Sequence, residues 1–150
     1  MNRDGCCMSK SEKKRLVIPS RMAEMPAAQQ QVLDAVVAAA YPKEALFAIR
    51  LCLDEAITNA IRHGNHEDPS KDVVIEYCVD DQKAEIAVTD QGPGFCPEQV
   101  PDPTRDECLS RPSGRGVMLM KEYMTDVSFN KTGNQVRMVK YKTCKRPKAG

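Results

Sequence analysis

The sequence has little excess charge and no long apolar segment. Its 150 residues carry 22 basic and 21 acidic side chains, for a net charge of +1. No overall field therefore favours nucleic acid or an anionic membrane as a partner. No apolar stretch approaches the roughly 20 residues that span a bilayer, and the amino terminus lacks the apolar region of a signal peptide. These absences predict a soluble, cytoplasmic protein that binds a protein or a small molecule.

Signals for disulfides and for zinc are also missing. The seven cysteines form an odd set without a C-x-x-C pair, and neither of the two histidines stands at zinc-ligand spacing. Cys52 and Cys78 lie in apolar segments, which favours small core side chains over a redox role. The sequence therefore predicts no structural metal and no disulfide framework.

The length and the 41% hydrophobic content fit one domain with one core. We expect a disordered leader at residues 1–14, a folded domain at residues 15–142 and a basic tail at residues 143–150. Periodicity and turn residues predict a strand at 15–19, helices at 27–40 and 43–63, a hairpin at 73–79 and 84–89, an irregular lid-like loop at 95–113, a helix at 117–124, and a hairpin at 127–129 and 135–141. This order predicts an α+β fold, a two-layer sandwich with a mixed, largely antiparallel sheet and helices on one face.

The helix at 43–63 carries the first of three motifs. Glu55 and Asn59 are four residues apart, so both side chains project from one face of a helix and can reach one ion or one water. Small and apolar residues surround them, which is typical of a cleft wall rather than a solvated face. The core-facing stripe of this helix is predicted to contain Leu46, Ile49, Leu53, Ile57 and Ala60.

Two glycine-containing motifs follow. Asp90 ends the first predicted hairpin and precedes Gly92 and Gly94, which allow a sharp turn and a close approach to a ligand. Gly114 and Gly116 lie just before the apolar helical run at 117–124, where unpaired N–H groups at a helix start favour a polyanion. Each motif alone is weak, but their order and spacing together predict a nucleotide pocket.

With all three motifs in place, the chain resembles the Bergerat-fold ATP-binding domains of gyrases, Hsp90-type chaperones and histidine kinases. Their N, G1 and G2 boxes match Glu55/Asn59, Asp90-x-Gly92-x-Gly94 and Gly114-x-Gly116. The flanking segments DEAITNAIRHGN, TDQGPGF and SGRGVMLMKEYMTDVSF are similar to those of small anti-sigma factor serine/threonine-protein kinases. The resemblance covers about residues 15–142, which makes the predicted domain a histidine-kinase-like ATP-binding domain.

The resemblance implies ATP and Mg²⁺ as cofactors. Glu55 would be the general base, Asn59 would bind Mg²⁺, and Asp90 would accept a hydrogen bond from the adenine amino group. Gly92 and Gly94 would leave room for the adenine ring. The phosphates would bind at the cradle formed by Gly114, Gly116 and the N–H groups of Val117 and Met118.

Three further residues are open to two interpretations each. His63 can contact phosphate or metal-bound water, or it can cap the helix end next to Gly64. Arg111 and Arg115 flank the glycines of the third motif, where either can neutralise the transferred phosphoryl group or remain a solvated loop charge. In addition, Asn134 and Gln135 follow Gly133, where many relatives have a threonine that holds the adenine end of the site.

The resemblance implies a kinase that phosphorylates a serine of an anti-anti-sigma protein, a small STAS-type domain, and regulates a sigma factor by partner switching. A homodimer is expected on the same grounds. The alternative is an ATP-sensing protein-binding module without phosphotransfer, against which the carboxylate of Glu55 argues. The catalytic half of a histidine kinase is disfavoured, because neither His63 nor His66 lies on a preceding dimerisation helix.

Overall fold

The computed structural model describes residues 12–92 and 114–143. Leader residues 1–11, the whole predicted loop at 95–113 and the tail from 144 lie outside the described residues. Within them a short 3-10 turn precedes α1 and a π-helical turn at Ala60–Gly64 extends α2. The elements are β1 (Lys14–Pro19), α1 (Met25–Ala38), α2 (Lys43–Asn59), β2 (Asp72–Val79), β3 (Lys83–Thr89), α3 (Gly114–Tyr123), β4 (Asp126–Phe129) and β5 (Gln135–Tyr141).

The strands form one sheet in the order β1-β2-β3-β5-β4. Every pairing among these strands is antiparallel, so the parallel pair that a mixed sheet would contain is absent from the described part of the chain. Hairpins connect β2 to β3 and β4 to β5, which explains the antiparallel pattern. The predicted α+β fold is confirmed.

Burial alternates along the central strands. Ile75, Ile86 and Met138 are at most 1% exposed, whereas the flanking residues Glu76 and Arg137 are partly or fully exposed. This alternation with a period of two places the apolar side chains on the face that α1 and α2 cover. The two-layer arrangement therefore has one core, between the sheet and the helices.

Helix α2 lies at the centre of this arrangement. Its predicted core stripe is confirmed: Ile49, Leu53 and Ile57 are fully buried, and Leu46 packs against the same cluster. The opposite side is covered as well, because α3 packs there and Cys52 is fully buried with its Sγ 4.0 Å from Leu119 O. Glu55 and Asn59 are thus partly and largely covered, whereas Arg50 and Asp54 of the same helix are exposed.

Within residues 12–92 and 114–143, none of the helices is both long enough and apolar enough to cross a membrane.

The burial of Leu53 predicts the effect of shortening its side chain. Replacing Leu53 by alanine leaves a cavity in a fully buried position, and we expect the free energy of unfolding to fall by about 2–5 kcal/mol. Chemical denaturation measures this change. The matched control is Val37→Ala on α1, a side chain that is 57% exposed, which should change stability by less than about 0.5 kcal/mol. Equal effects of the two substitutions would contradict the assigned core.

Candidate functional site

The first and third motifs lie in contact. Glu55 is half-buried on α2, and Asn59, its last residue, is 9% exposed. A Cβ added to Gly116 would lie 2.7 Å from Glu55 Oε1 and 3.3 Å from Asn59 Nδ2. Because a real Cβ does not approach an oxygen so closely, only glycine lets the α3 backbone come this near to the two polar groups. The predicted pairing of a carboxylate and an amide with the glycine motif is therefore present.

The π-helical turn after Asn59 brings the second motif to the end of α2. Its wider hydrogen bond runs from Asn65 N to Ala60 O at 2.9 Å, and single π turns inside or after α-helices are frequent at functional sites. A Cβ on Gly64 would lie 2.3 Å from Asp90 Oδ2. The absence of a side chain at Gly64 thus allows the Asp90 carboxylate to pack against the helix end.

Asp90 is fixed by backbone and side-chain bonds. Its N–H donates to Asn134 O at 2.9 Å, Asn134 Nδ2 donates to Asp90 O at 3.1 Å, and its own Oδ1 accepts the Gly92 N–H at 2.8 Å. Burial raises the pKa of the Asp90 carboxyl, and the bond from Gly92 opposes that rise. Within the described residues Oδ2 makes no comparable bond, which leaves it able to accept a hydrogen from a ligand amine.

A small cavity lies between Asn59 of the first motif and Asp90 of the second. Its volume is about 30 Å³, and its walls come from α2, β3, α3 and the turn between β4 and β5. Small side chains on α2 give it room next to Asp90. The lining residues are Ala56, Asn59, Ala60, Val88, Asp90, Met120, Gly133, Asn134, Gln135 and Val136.

The segment Gly133, Asn134 and Gln135 is therefore a wall of this cavity. The side-chain amides of Asn134 and Gln135 form hydrogen bonds within the protein. Asn134 Oδ1 accepts hydrogens from Asn130 Nδ2 at 2.7 Å and Thr132 Oγ1 at 2.8 Å. Gln135 Nε2 donates to Thr89 Oγ1 at 2.8 Å. The amide of Asn134 acts on the site through the backbone of Asp90, as described above.

Helix α3 begins three residues earlier than the sequence indicated. It starts at Gly114 rather than Val117, which places Gly114 and Gly116 inside the first turn. The N–H of Val117 then belongs to the fourth helical residue, still among the first four N–H groups for which a regular helix supplies no carbonyl, whereas that of Met118 belongs to the fifth. The phosphate cradle at Gly114, Gly116, Val117 and Met118 stays a prediction.

Other predicted site residues have different outcomes. Gly94 and Arg111 lie outside the described residues, and Arg115 is placed only by its backbone in the first turn of α3. His63 is half-buried in the π-helical turn. Burial lowers the pKa of His63, and the neighbouring charges of Arg62 and His66 lower it further. A neutral imidazole contributes hydrogen bonds rather than charge, so a cationic cap at the helix end is disfavoured.

The residues present fit one Mg²⁺ ion better than a protein-built metal centre. In residues 12–92 and 114–143, no group of three or more His, Cys, Asp or Glu side chains could hold a metal. Mg²⁺ bound with nucleotide takes one or two protein oxygens and completes its shell with water and phosphate. The amide of Asn59 has its Nδ2 3.3 Å from the space that a Cβ on Gly116 would fill, and an Mg²⁺ ion would be bound by the Oδ1 of the same amide.

Asn65 is the last residue of the segment DEAITNAIRHGN, and the motifs alone indicate no role for it. It is fully buried and bonds to β1, β2 and the loop after β3. The signal available in the sequence was a polar amide directly after the glycine that ends a helix. Its partners are distant in the chain, so only the fold reveals them.

Comparisons with known proteins agree with this geometry. The family model for the histidine kinase-like ATPase domain matches residues 18–140. The serine-protein kinase RsbW of Bacillus subtilis is 32% identical over 110 residues, 67% of this chain and 68% of the relative. The anti-sigma F factor of Oceanobacillus iheyensis is 31% identical over 102 residues, 63% of this chain and 68% of the relative. RsbW of Listeria monocytogenes is 29% identical over 110 residues, 69% of this chain and 70% of the relative.

A solved structure shows the same fold. It contains the RsbU and RsbW domains of a Mycobacterium tuberculosis protein, with a TM-score of 0.59 and 11% sequence identity. The match covers 87% of this chain but only 31% of the larger one.

The contact between Gly64 and Asp90 predicts a non-additive pair of substitutions. Gly64→Ala places a Cβ against the carboxylate, and we expect a loss of about 1–3 kcal/mol in the free energy of unfolding. In an Asp90→Ala background the obstructing carboxylate is gone, so the same substitution should cost much less. A double-mutant cycle by chemical denaturation gives the coupling. Additive losses would show that the two residues do not oppose each other.

Proposed function

Because the chain belongs to the histidine kinase-like ATPase domain family, we propose that it is an anti-sigma factor serine/threonine-protein kinase that uses ATP and Mg²⁺. The supporting observation is the contact of all three motifs at the carboxyl-terminal end of α2. Gly116 lies against Glu55 and Asn59, and Gly64 lies against Asp90. One site can then contact the base, the phosphates and the acceptor of a single nucleotide.

Asp90 would select adenine. Its buried carboxylate can accept a hydrogen from the exocyclic amino group, whereas a guanine carbonyl at the same place would meet a carboxylate and be repelled. A Cβ on Gly92 would lie 2.1 Å from Gly64 O, so glycine lets the loop after Asp90 pack against the end of the helix. ATP should therefore bind more tightly than GTP.

Glu55 would be the catalytic base for phosphoryl transfer. A serine Oγ of the substrate attacks the γ-phosphorus, its proton passes to the Glu55 carboxylate, and the bond to the β-phosphate oxygen breaks to release ADP. Asn59 would hold Mg²⁺, which neutralises charge on the phosphates. The N–H groups at the start of α3 would bind the phosphate oxygens.

The partners are proposed from the names of the relatives. The substrate would be a serine of an anti-anti-sigma STAS protein, and the sequestered protein would be a sigma factor. Release would occur when the unphosphorylated STAS protein competes for the kinase, and the kinase would act as a cytoplasmic homodimer. The sigma factor and the serine substrate rest on the serine-protein kinase and anti-sigma relatives, because a fold and a pocket do not name partners. The STAS fold of the substrate, the homodimer and the cytoplasmic location rest on the resemblance to small anti-sigma factor kinases.

Two substitutions separate binding from transfer. Glu55→Gln keeps the size of the side chain but removes the base, so phosphotransfer should fall at least about a hundredfold while ATP still binds. Asp90→Asn should weaken ATP binding, since the amide replaces an acceptor with a group that also donates. Labelled ATP with candidate STAS domains measures transfer, and calorimetry measures affinity.

Full transfer by the Glu55 variant would contradict the assignment of the base. A wild type that binds ATP but labels none of a complete set of STAS domains from its own cell would favour the ATP-sensing module instead. Unchanged ATP affinity in the Asp90 variant would contradict the assigned pocket.

Gly116→Ala should separate activity from stability in another way. Its Cβ would lie 2.7 Å from Glu55 Oε1, and the flexible end of the glutamate can move away at little cost to folding. Alanine is also favoured over glycine in a helix by up to about 1 kcal/mol. We therefore expect an unchanged or higher melting temperature, with transfer reduced by about a hundredfold because the base is displaced.

The control for this variant is Lys121→Ala, an exposed position on the same helix, which should affect neither stability nor transfer. A fully active Gly116→Ala protein would show that the contact with Glu55 has been misassigned, and an unstable one would show that the glutamate cannot move aside.

A further inference from the structure

Asn65 is a completely buried amide behind the proposed nucleotide site. Its exposed fraction is 0%, and it lies directly after the π-helical turn that ends α2. Buried amides cost stability unless their donors and acceptors are matched. The position therefore needs a specific set of partners.

Those partners come from three separate segments. Asn65 Nδ2 donates to Ser20 Oγ at 2.8 Å and to Asp72 O at 3.0 Å. Its Oδ1 accepts the backbone N–H of Gln91 at 2.8 Å. Both amide hydrogens are used, and the oxygen is used by a residue next to Asp90.

The donor half and the acceptor half of this amide contact different parts of the protein. The donor half contacts the end of β1 and the start of β2, where Ser20 also donates through Oγ to Lys71 O at 2.7 Å. The acceptor half contacts the loop that carries Asp90. The side chain of Gln91 ties the same loop to β2, because Gln91 Oε1 accepts the Asp72 N–H.

We infer that Asn65 is a positioning residue for adenine selection: it fixes the backbone of Gln91 and so holds the neighbouring Asp90 carboxylate against Gly64. This inference rests on the proposed function, in which Asp90 binds the adenine amino group. Asn134 holds the backbone of Asp90 from the opposite side, so the loop is fixed between two amides. Removing one of them lets the carboxylate move while the rest of the cavity stays formed.

The test compares Asn65→Ala with Ser20→Ala. Both substitutions disrupt the same buried network and should lower the melting temperature, but Ser20→Ala leaves the bond from Gln91 N–H to Asn65 in place. Calorimetry below both melting temperatures measures the affinities for Mg·ATP and Mg·GTP. We expect ATP affinity to fall about tenfold in Asn65→Ala, with GTP affinity unchanged, and ATP affinity in Ser20→Ala to stay within about twofold of wild type.

A loss of preference for ATP over GTP is the informative result, because a purely structural role would weaken both nucleotides alike. Unchanged ATP affinity in Asn65→Ala, or equal losses of ATP and GTP affinity, would overturn the inference. So would an equal loss of ATP preference in Ser20→Ala. A wild type that binds neither nucleotide would overturn the proposed function as well, which distinguishes the two failures.

Gln91→Ala covers the case in which Asn65→Ala does not fold. Gln91 is exposed, so its removal leaves the core intact while it deletes the second tie between the loop and β2. We expect a threefold to fivefold loss of ATP affinity, about half the free energy of the buried tie, with little change in melting temperature. Wild-type affinity and preference in this variant would overturn the inference.

Discussion

The close approach of two backbone segments to the end of α2 is the constraint on which the site depends. Gly116 leaves no room for a Cβ beside Glu55, and Gly64 leaves none beside Asp90. Packing of α2 between the sheet and α3 brings these segments together. The same packing that stabilises the core therefore places the Glu55 carboxylate, the Asn59 amide and the start of α3 next to one another.

Polar groups turn this packing into a defined geometry. The π-helical turn directs the chain after Asn59 towards Asp90, and Asn65 and Asn134 hold the loop of Asp90 from its two sides. Each bond adds only about 1 kcal/mol to stability, but leaving such a group buried and unpaired costs more. These bonds therefore favour one arrangement of the loop over its alternatives.

Much of the fold could be predicted because it follows from local periodicity. The stripe of Ile49, Leu53 and Ile57 and the alternation in β2 and β3 indicate their elements directly. The start of α3 could not be predicted, since two glycines lower the helix propensity that packing against α2 overrides. In the site, the order of the motifs pointed to Glu55, Asn59 and Asp90, whose roles stay predictions. The role of Asn65 stayed hidden because its partners at Ser20 and Gln91 are 45 and 26 residues away in the chain.

The most direct test of the account is hydrogen exchange of the backbone amides in the wild-type protein, with and without Mg·ATP. If the motifs form one nucleotide site, ATP should slow amide exchange in all four of the segments that surround it: residues 55–65, 88–92, 114–120 and 133–136. Residues 14–19 of β1, away from the cavity, should exchange at the same rate in both conditions. Protection that is absent, or that leaves out the segment around Asp90 or the start of α3, would contradict a shared nucleotide site.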